Sequence, residues 1–237
     1  MSKNIALIPA AGIGSRFGAG KPKQYVNIGG KTVLQHTLDV FLNHAGIDAV
    51  AVVLAPDDTV FQVASAALSG KLSVYRCGGE TRAETVRNGV AALLQQGAAA
   101  EDDNILVHDA ARCCLPPEAL SRLLAEAATQ PQGGILAVPV ADTLKRADVG
   151  QHIETTVSRQ ALWQAQTPQL FRAALLQRAL AGDLSGITDE ASAVESLGIK
   201  PLLVEGDSRN LKMTLPQDEY IVRLLLADLP AASTRAT

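Results

Sequence analysis

Ile5-Ala6-Leu7-Ile8-Pro9-Ala10-Ala11-Gly12-Ile13-Gly14-Ser15-Arg16-Phe17-Gly18-Ala19-Gly20-Lys21-Pro22-Lys23 decides the fold class of this chain. Four apolar residues ending at a proline read as a buried strand, and the glycine-rich run after them as a loop. A helix follows, its start marked by Thr32 and Gln35 in capping-box spacing. In an open α/β sheet, the loop at the carboxyl end of such a strand is a usual ligand site. Ala10, Ala11, Gly12 and Gly14 are small enough for backbone N–H groups to approach an anion closely. Arg16, Lys21 and Lys23 place three cations in the same loop. Two familiar patterns fail. A GxGxxG fingerprint starting at Gly12 needs glycine where Phe17 stands, and a Walker A loop ending at Lys21 needs Gly and Ser/Thr where Ser15 and Pro22 stand. Polyphosphate binding outside those two classes is the reading, ahead of a plain structural turn.

The pattern repeats outward from that loop. Asp48–Ala55, Leu72–Tyr75, Ile105–His108, Ile135–Val138 and Leu202–Val204 read as further strands. Helices are expected from Asp57 to about Leu68, from the Thr81/Glu84 capping box, over Pro116–Ala128, Phe171–Ala181 and Asp189–Leu197, and from about Leu215 to Leu229. Strands alternating with helices imply βαβ units and a largely parallel sheet. From Ala141 to about Trp163 the chain turns polar and weakly alternating, which reads as a β-arm leaving the sheet. Such an arm buries little alone, so it needs the protein's body or a second subunit. The tail 230–237 is expected to fray. One domain over 1–237, with 141–163 as its arm, is the expected organisation.

Composition narrows the class. Of 237 residues, 47% are hydrophobic but only 3% aromatic, so the core is built of Ala, Val, Leu and Ile, as in strands covered on both faces. A net charge of −3 leaves no basic field for nucleic acid. No apolar run approaches the roughly 18 residues of a membrane span, and Met1-Ser2-Lys3-Asn4 does not read as a signal peptide. Cys77, Cys113 and Cys114 form neither a disulfide framework nor a zinc pattern, so reduced thiols in the cytoplasm are the expectation.

Two clusters accompany the loop. Asp109, in His108-Asp109-Ala110-Ala111-Arg112, sits where a strand ends; it can meet a Mg²⁺ ion carried by phosphates, or equally pair with Arg112. His108 is read as a packed residue rather than a base. Gly78-Gly79 precede a helix start at which Arg82 and Thr85 share a face, suited to reading a nucleobase or to a solvated first turn. No GxSxG elbow is present. A phosphate-monoester nucleophile, with a second pKa of about 6, needs no protein base; cations at the phosphorus would suffice.

Together these segments resemble the 2-C-methyl-D-erythritol 4-phosphate cytidylyltransferases of the non-mevalonate isoprenoid pathway. Beyond the opening loop, the resemblance is carried by Lys21-Pro22-Lys23-Gln24-Tyr25, Gly78-Gly79 with Arg82, residues 108–112 and Asp142-Thr143-Leu144-Lys145-Arg146. It continues through Arg159 with Leu162-Trp163, Gln166-Thr167-Pro168-Gln169, Thr188-Asp189-Glu190-Ala191-Ser192 and Asn210-Leu211-Lys212. These occur in order over nearly the whole chain. The resemblance implies a Rossmann-like, three-layer α/β/α nucleotidyltransferase fold with a mostly parallel sheet, and a homodimer in which the arm hooks around its partner. It implies CTP and 2-C-methyl-D-erythritol 4-phosphate as substrates, with Mg²⁺ carried mainly by the CTP phosphates and met by Asp109. By the same resemblance Arg16 and Lys23 stabilise charge at the α-phosphate, while Arg159 and Lys212 position the substrate phosphate. Ala10, Ala11, Gly12, Gly79, Arg82 and Thr85 contact the nucleotide; Thr143, Thr167 and Thr188 line the pocket, Thr143 and Arg159 serving the neighbour's site. The chain departs from the pattern at Ser158, where many relatives have Asp, at Thr85, where some have Ser, and at Cys113, often Pro. Other readings are a sibling cytidylyltransferase acting on ribitol phosphate, a nicotinamide oxidoreductase, which Phe17 and the loop cations disfavour, and a catalytically silent nucleotide-binding module.

Overall fold

The computed structural model describes residues 2–12, 22–61 and 70–228. Arg16 and Lys21, the glycine motif from Ile13 onward, the later part of the helix expected at 57–68, and the tail lie outside the described residues. Alternation along the first strand builds the layers. In β1 (Asn4–Pro9), Ile5 and Leu7 pack into one apolar cluster, Ala6 and Ile8 into another on the opposite face, and all four are fully buried. Burial of each larger side chain contributes about 1.5–3 kcal/mol, so a strand buried on both faces anchors two layers at once.

Beyond β1 the chain forms a short hairpin, β2 (Asn27–Ile28) and β3 (Lys31–Thr32), then α1 (Val33–Leu42), β4 (Ala49–Val53) and β5 (Leu72–Tyr75). Next come α2 (Arg82–Gln95), β6 (Asn104–Val107), α3 (Pro117–Ala127) and β7 (Gly134–Pro139). The arm is β8 (Leu144–Ala147) with β9 (Ile153–Val157). Then follow β10 (Trp163–Arg172), α4 (Ala173–Ala179), α5 (Glu190–Glu195), β11 (Leu202–Glu205) and α6 (Asp218–Asp228). Seven strands form one sheet in the order β11-β7-β10-β6-β1-β4-β5, with β10 alone antiparallel to its neighbours. Residues of α2, α4 and α5 cover one face and those of α1 and α3 the other, giving the expected three layers. Both expected capping boxes form: Thr32 with Gln35, and Thr81 with Glu84. Gly89 brings α2 close to the sheet; a Cβ there would stand 2.7 Å from Val53 Cγ2.

Three expectations are corrected. Residues 163–172 form β10, a strand not expected between the arm, whose pattern ends at about Trp163, and the helix expected from Phe171, which begins only at Ala173. The polar run Gln164–Gln169 hides this strand. Gln166, Thr167 and Gln169 are buried, and hydrogen bonds rather than an apolar pattern satisfy their side chains. No helix starts at Asp57: Asp58 Oδ1 accepts from the N–H groups of Val60 and Phe61, both at 2.9 Å, closing a local turn that competes with helix. Finally, α6 starts at Asp218 rather than Leu215, because Asp218 Oδ2 accepts from Thr214 N and Leu215 N.

The arm departs from the body. β8 and β9 pair with each other and with no other described strand, and Val149 and Ile153 stand exposed.

Candidate functional site

A cleft of about 360 Å³ opens beyond the carboxyl ends of β1 and β6. One wall is the turn after β1. Ala10 N donates to Val53 O at 2.8 Å, continuing the sheet ladder for one more residue. The carbonyls of Ala10 and Gly12 both accept from Gln24 Nε2, at 3.0 and 2.8 Å. The N–H groups of Ala11 and Gly12 meet no acceptor among the described residues, and both residues line the cleft. Unpaired backbone donors at a strand end, in a turn of small residues, suit an anion.

The facing wall is Gly78-Gly79 and the start of α2. Gly78 N donates to Leu54 O at 2.8 Å, and a Cβ at Gly78 would fall 2.2 Å from the Ala11 Cβ. Only glycine lets the two walls approach this closely. Thr85 is buried, its hydroxyl donating to Thr81 O at 2.9 Å and accepting from Gly79 N at 3.1 Å. Its hydroxyl therefore shapes the Gly79 turn from within.

The base of the cleft is an ion cluster. Asp109 Oδ1 accepts from Arg82 Nε at 2.7 Å, and Oδ2 lies 2.8 Å from Lys212 Nζ and 3.5 Å from Arg112 Nε. The Arg82 fork is held bidentately by Glu190, at 2.6 and 3.0 Å, and Glu190 is almost wholly buried. Burial alone would push the Asp109 carboxyl up, but the Arg82 guanidinium and Lys212 ammonium hold it well below the usual carboxylate range. Burial likewise pushes Glu190 up, opposed by Arg82. Two carboxylates face three cations, so the base carries a positive excess. Lys23 enters from the 3₁₀ turn Lys23–Tyr25, with Nζ donating to Met213 O at 2.9 Å.

Backbone lacing sets these positions. Met213 N donates to Ala111 O and Arg112 Nη1 to Asn210 O, which ties residues 210–213 to the loop after β6 and sets Lys212 opposite Asp109. Beneath that loop lies His108, fully buried, with burial lowering its pKa to about 4. Arg112 O can only accept, so His108 Nε2 carries the proton at 2.9 Å, and Nδ1 of the neutral ring accepts from Thr167 Oγ1 at 3.0 Å. Thr167 Oγ1 in turn accepts from Asp109 N at 3.1 Å. His108 is thus the packed residue expected, and it orients the loop that carries Asp109.

Of the site residues expected from the sequence, Ala10, Ala11, Gly12, Lys23, Gly79, Arg82, Thr85, Asp109 and Lys212 line this one cleft. Thr167 lies beneath it, bonded to Asp109 and His108. Thr188 lines a second cleft of about 510 Å³, which shares Thr81 and Arg82 with the first and adds Glu190. Thr143 and Arg159 are exposed at the two ends of the arm, and Arg16 lies outside the described residues. Two residues were passed over in reading the sequence. Glu190 reads as an acid in a helix's first turn, and Gln24 as one polar residue between lysine and tyrosine; only three-dimensional partners reveal either. Among the described residues no group of three His, Cys, Asp or Glu side chains could hold a metal ion.

Known proteins share this sequence and this fold. The family model for IspD, 2-C-methyl-D-erythritol 4-phosphate cytidylyltransferase, matches residues 4–228. A Neisseria meningitidis serogroup C protein bearing that enzyme name is 68% identical over 225 residues, covering 94% of this chain and 97% of its own. The similarly named protein of Chromobacterium violaceum is 54% identical over 224 residues, covering 94% and 97%. A solved 4-diphosphocytidyl-2C-methyl-D-erythritol synthase superposes with a TM-score of 0.84 at 60% identity, over 95% of this chain and 99% of the other. The Francisella tularensis cytidylyltransferase superposes with a TM-score of 0.78 at 33% identity, over 94% and 100%.

Proposed function

This chain belongs to the 2-C-methyl-D-erythritol 4-phosphate cytidylyltransferase family, and from that premise we propose how its residues carry out the family's reaction. The enzyme converts CTP and 2-C-methyl-D-erythritol 4-phosphate to 4-diphosphocytidyl-2-C-methyl-D-erythritol and pyrophosphate, in isoprenoid precursor biosynthesis. A phosphate oxygen of the polyol phosphate attacks the α-phosphorus of CTP. The new P–O bond forms as the bond from the α-phosphorus to the bridging oxygen breaks, and pyrophosphate leaves with that electron pair. The nucleophile is already anionic near neutral pH, so no proton transfer to the protein is needed.

The observation that carries the reading is the convergence of unpaired N–H groups at Ala11 and Gly12 with Lys23, Arg82 and Lys212 around one cleft. The two backbone donors take the nucleotide. Lys23, with Arg16, stabilises charge that grows on the α-phosphoryl oxygens, which fixed cations do at no reorganisation cost. Lys212, held by Asp109, faces the incoming phosphate. Gly79 and Thr85 shape the turn that receives the base. Thr167 fixes Asp109 from below and Thr188 receives the polyol.

Magnesium fits this cleft as an ion borne by the nucleotide phosphates. The cleft offers one carboxylate, Asp109, held ionised, rather than an all-protein cage. When bound, the ion would neutralise phosphate charge.

The chain acts as a single nucleotidyltransferase domain. Thr143 and Arg159, exposed on the arm, complete the cleft of a second copy in a homodimer, Arg159 binding the polyol phosphate. The protein works in the cytoplasm, in keeping with three free cysteines; among the described residues no helix is long and apolar enough to cross a membrane. The test is pyrophosphate release from CTP with 2-C-methyl-D-erythritol 4-phosphate and, in parallel, with ribitol phosphate. Turnover with the first is expected. Faster release with ribitol phosphate would overturn the substrate assignment, and CTP binding without release would overturn catalysis.

A further inference from the structure

Gln24 is buried, yet it touches none of the ions that form the base of the cleft. Its side-chain amide nitrogen has two hydrogens, and each is spent on a backbone carbonyl of the turn after β1: Ala10 O at 3.0 Å and Gly12 O at 2.8 Å. Ala10 N is spent on Val53 O. Of the six backbone polar groups of residues 10–12, these three are thus held, and Ala11 N, Ala11 O and Gly12 N meet no partner among the described residues. The two N–H groups left over, Ala11 and Gly12, belong to residues that line the cleft. Left unclipped, a turn of small residues has many backbone orientations, and turning either peptide over would present a carbonyl oxygen to a phosphate. Gln24 also sits directly after Lys23, on the 3₁₀ turn that brings the lysine to the same cleft.

We propose that Gln24 is a positioning residue for the nucleotide, a clip that holds the Ala10–Gly12 carbonyls away from the cleft so that the Ala11 and Gly12 N–H groups stay turned toward an anionic ligand. This rests on the nucleotide reading above and adds to it a residue that acts on triphosphate binding through the turn it holds. The effect falls on affinity for the nucleotide, because the clip organises the cradle before the second substrate arrives. The phosphate of that second substrate is met by Lys212, whose ammonium lies 2.8 Å from Asp109 Oδ2.

Two substitutions of nearly unchanged size test the clip. Gln24→Met removes both donors without adding charge, and Gln24→Glu replaces the donor with an acceptor facing two carbonyls. CTP affinity is measured by calorimetry on the folded fraction, and the KM for 2-C-methyl-D-erythritol 4-phosphate at saturating CTP. The dissociation constant for CTP is expected to rise about 10-fold for Gln24→Met, which is about 1.4 kcal/mol and in range for two lost hydrogen bonds. Gln24→Glu is expected to raise it further, with the polyol-phosphate KM within about 2-fold of wild type in both. A residue that merely supported the fold would lower the melting temperature and the active fraction but leave the CTP affinity of folded molecules unchanged. That result, or equal rises in both constants, would overturn the clip. Should Gln24→Glu fail to fold, Gln24→Met decides alone. Wild-type protein that fails to bind CTP would instead overturn the nucleotide reading itself.

Discussion

The base of the cleft and the β8–β9 arm carry residues assigned to the same reaction, yet they are built in opposite ways. Around Asp109 each charged group has its partners within this chain: Arg82 bridges Asp109 and Glu190, and Lys212 meets Asp109 at 2.8 Å. On the arm, Arg159 and Thr143 are exposed, and the strands between them bond only to each other. The difference teaches where the information for each geometry resides. One chain is enough to set the nucleotide end of the site. On the reading proposed above, the end that receives the second substrate's phosphate is finished by the arm of a second copy.

Substitutions can break that contrast, the strongest first. Glu190→Ala leaves the Arg82 fork without its bidentate partner in a buried setting, so unfolding free energy is expected to fall by about 3 kcal/mol or more in urea titrations. Arg159→Ala, on the arm, is expected to change it by less than about 0.5 kcal/mol. Equal losses would erase the distinction between the regions. Lys23→Ala keeps the fold and is expected to lower kcat by on the order of 10²–10³-fold, as for other preorganised charge stabilisers; a kcat within about 3-fold of wild type would reject its role.

A matched pair of threonines sharpens the comparison further. Thr167→Val removes the acceptor for Asp109 N and the donor to His108 Nδ1, and should cost about 1–3 kcal/mol. Thr143→Val should cost nearly nothing in stability. If the two proved alike by thermal unfolding, Thr167 would not be the support its hydrogen bonds describe. The smallest effect expected is that of Arg159→Ala on kinetics: the KM for 2-C-methyl-D-erythritol 4-phosphate rises about 10-fold while CTP affinity is unchanged. A fall in CTP affinity instead would detach the arm from the polyol phosphate.

Much of this organisation was legible before the structure. Apolar runs announced β1, β4, β5, β6, β7 and β11, and reciprocal side-chain caps announced α1 and α2, because burial and end-satisfaction leave short-range marks. β10 left none. It lies in mid-sheet, but Gln166, Thr167 and Gln169 are paid for by hydrogen bonds to Asp207, His108 and Asp189, residues far away in sequence. The turn at Asp58 was lost for the reverse reason: a local side-chain bond overrode a helical composition. In the site, Lys23, Gly79 and Asp109 could be read from residue type and motif, and Lys212 through the family resemblance. Glu190 and Gln24 could not, since their importance lies in which distant atoms they hold.

The account stands or falls on whether the arm of one copy serves the cleft of another. Lys23→Ala chains retain an intact arm on a dead cleft, and Arg159→Ala chains an intact cleft with a deficient arm. The two are mixed one to one, subunits are exchanged by unfolding and refolding together, and turnover is measured with subsaturating 2-C-methyl-D-erythritol 4-phosphate. With swapped arms, half the dimers are mixed and one site in each is whole, so activity should recover to about a quarter of wild type, well above the mean of the two parents. Activity that stays at that mean would show that each arm serves its own chain, and would contradict the account.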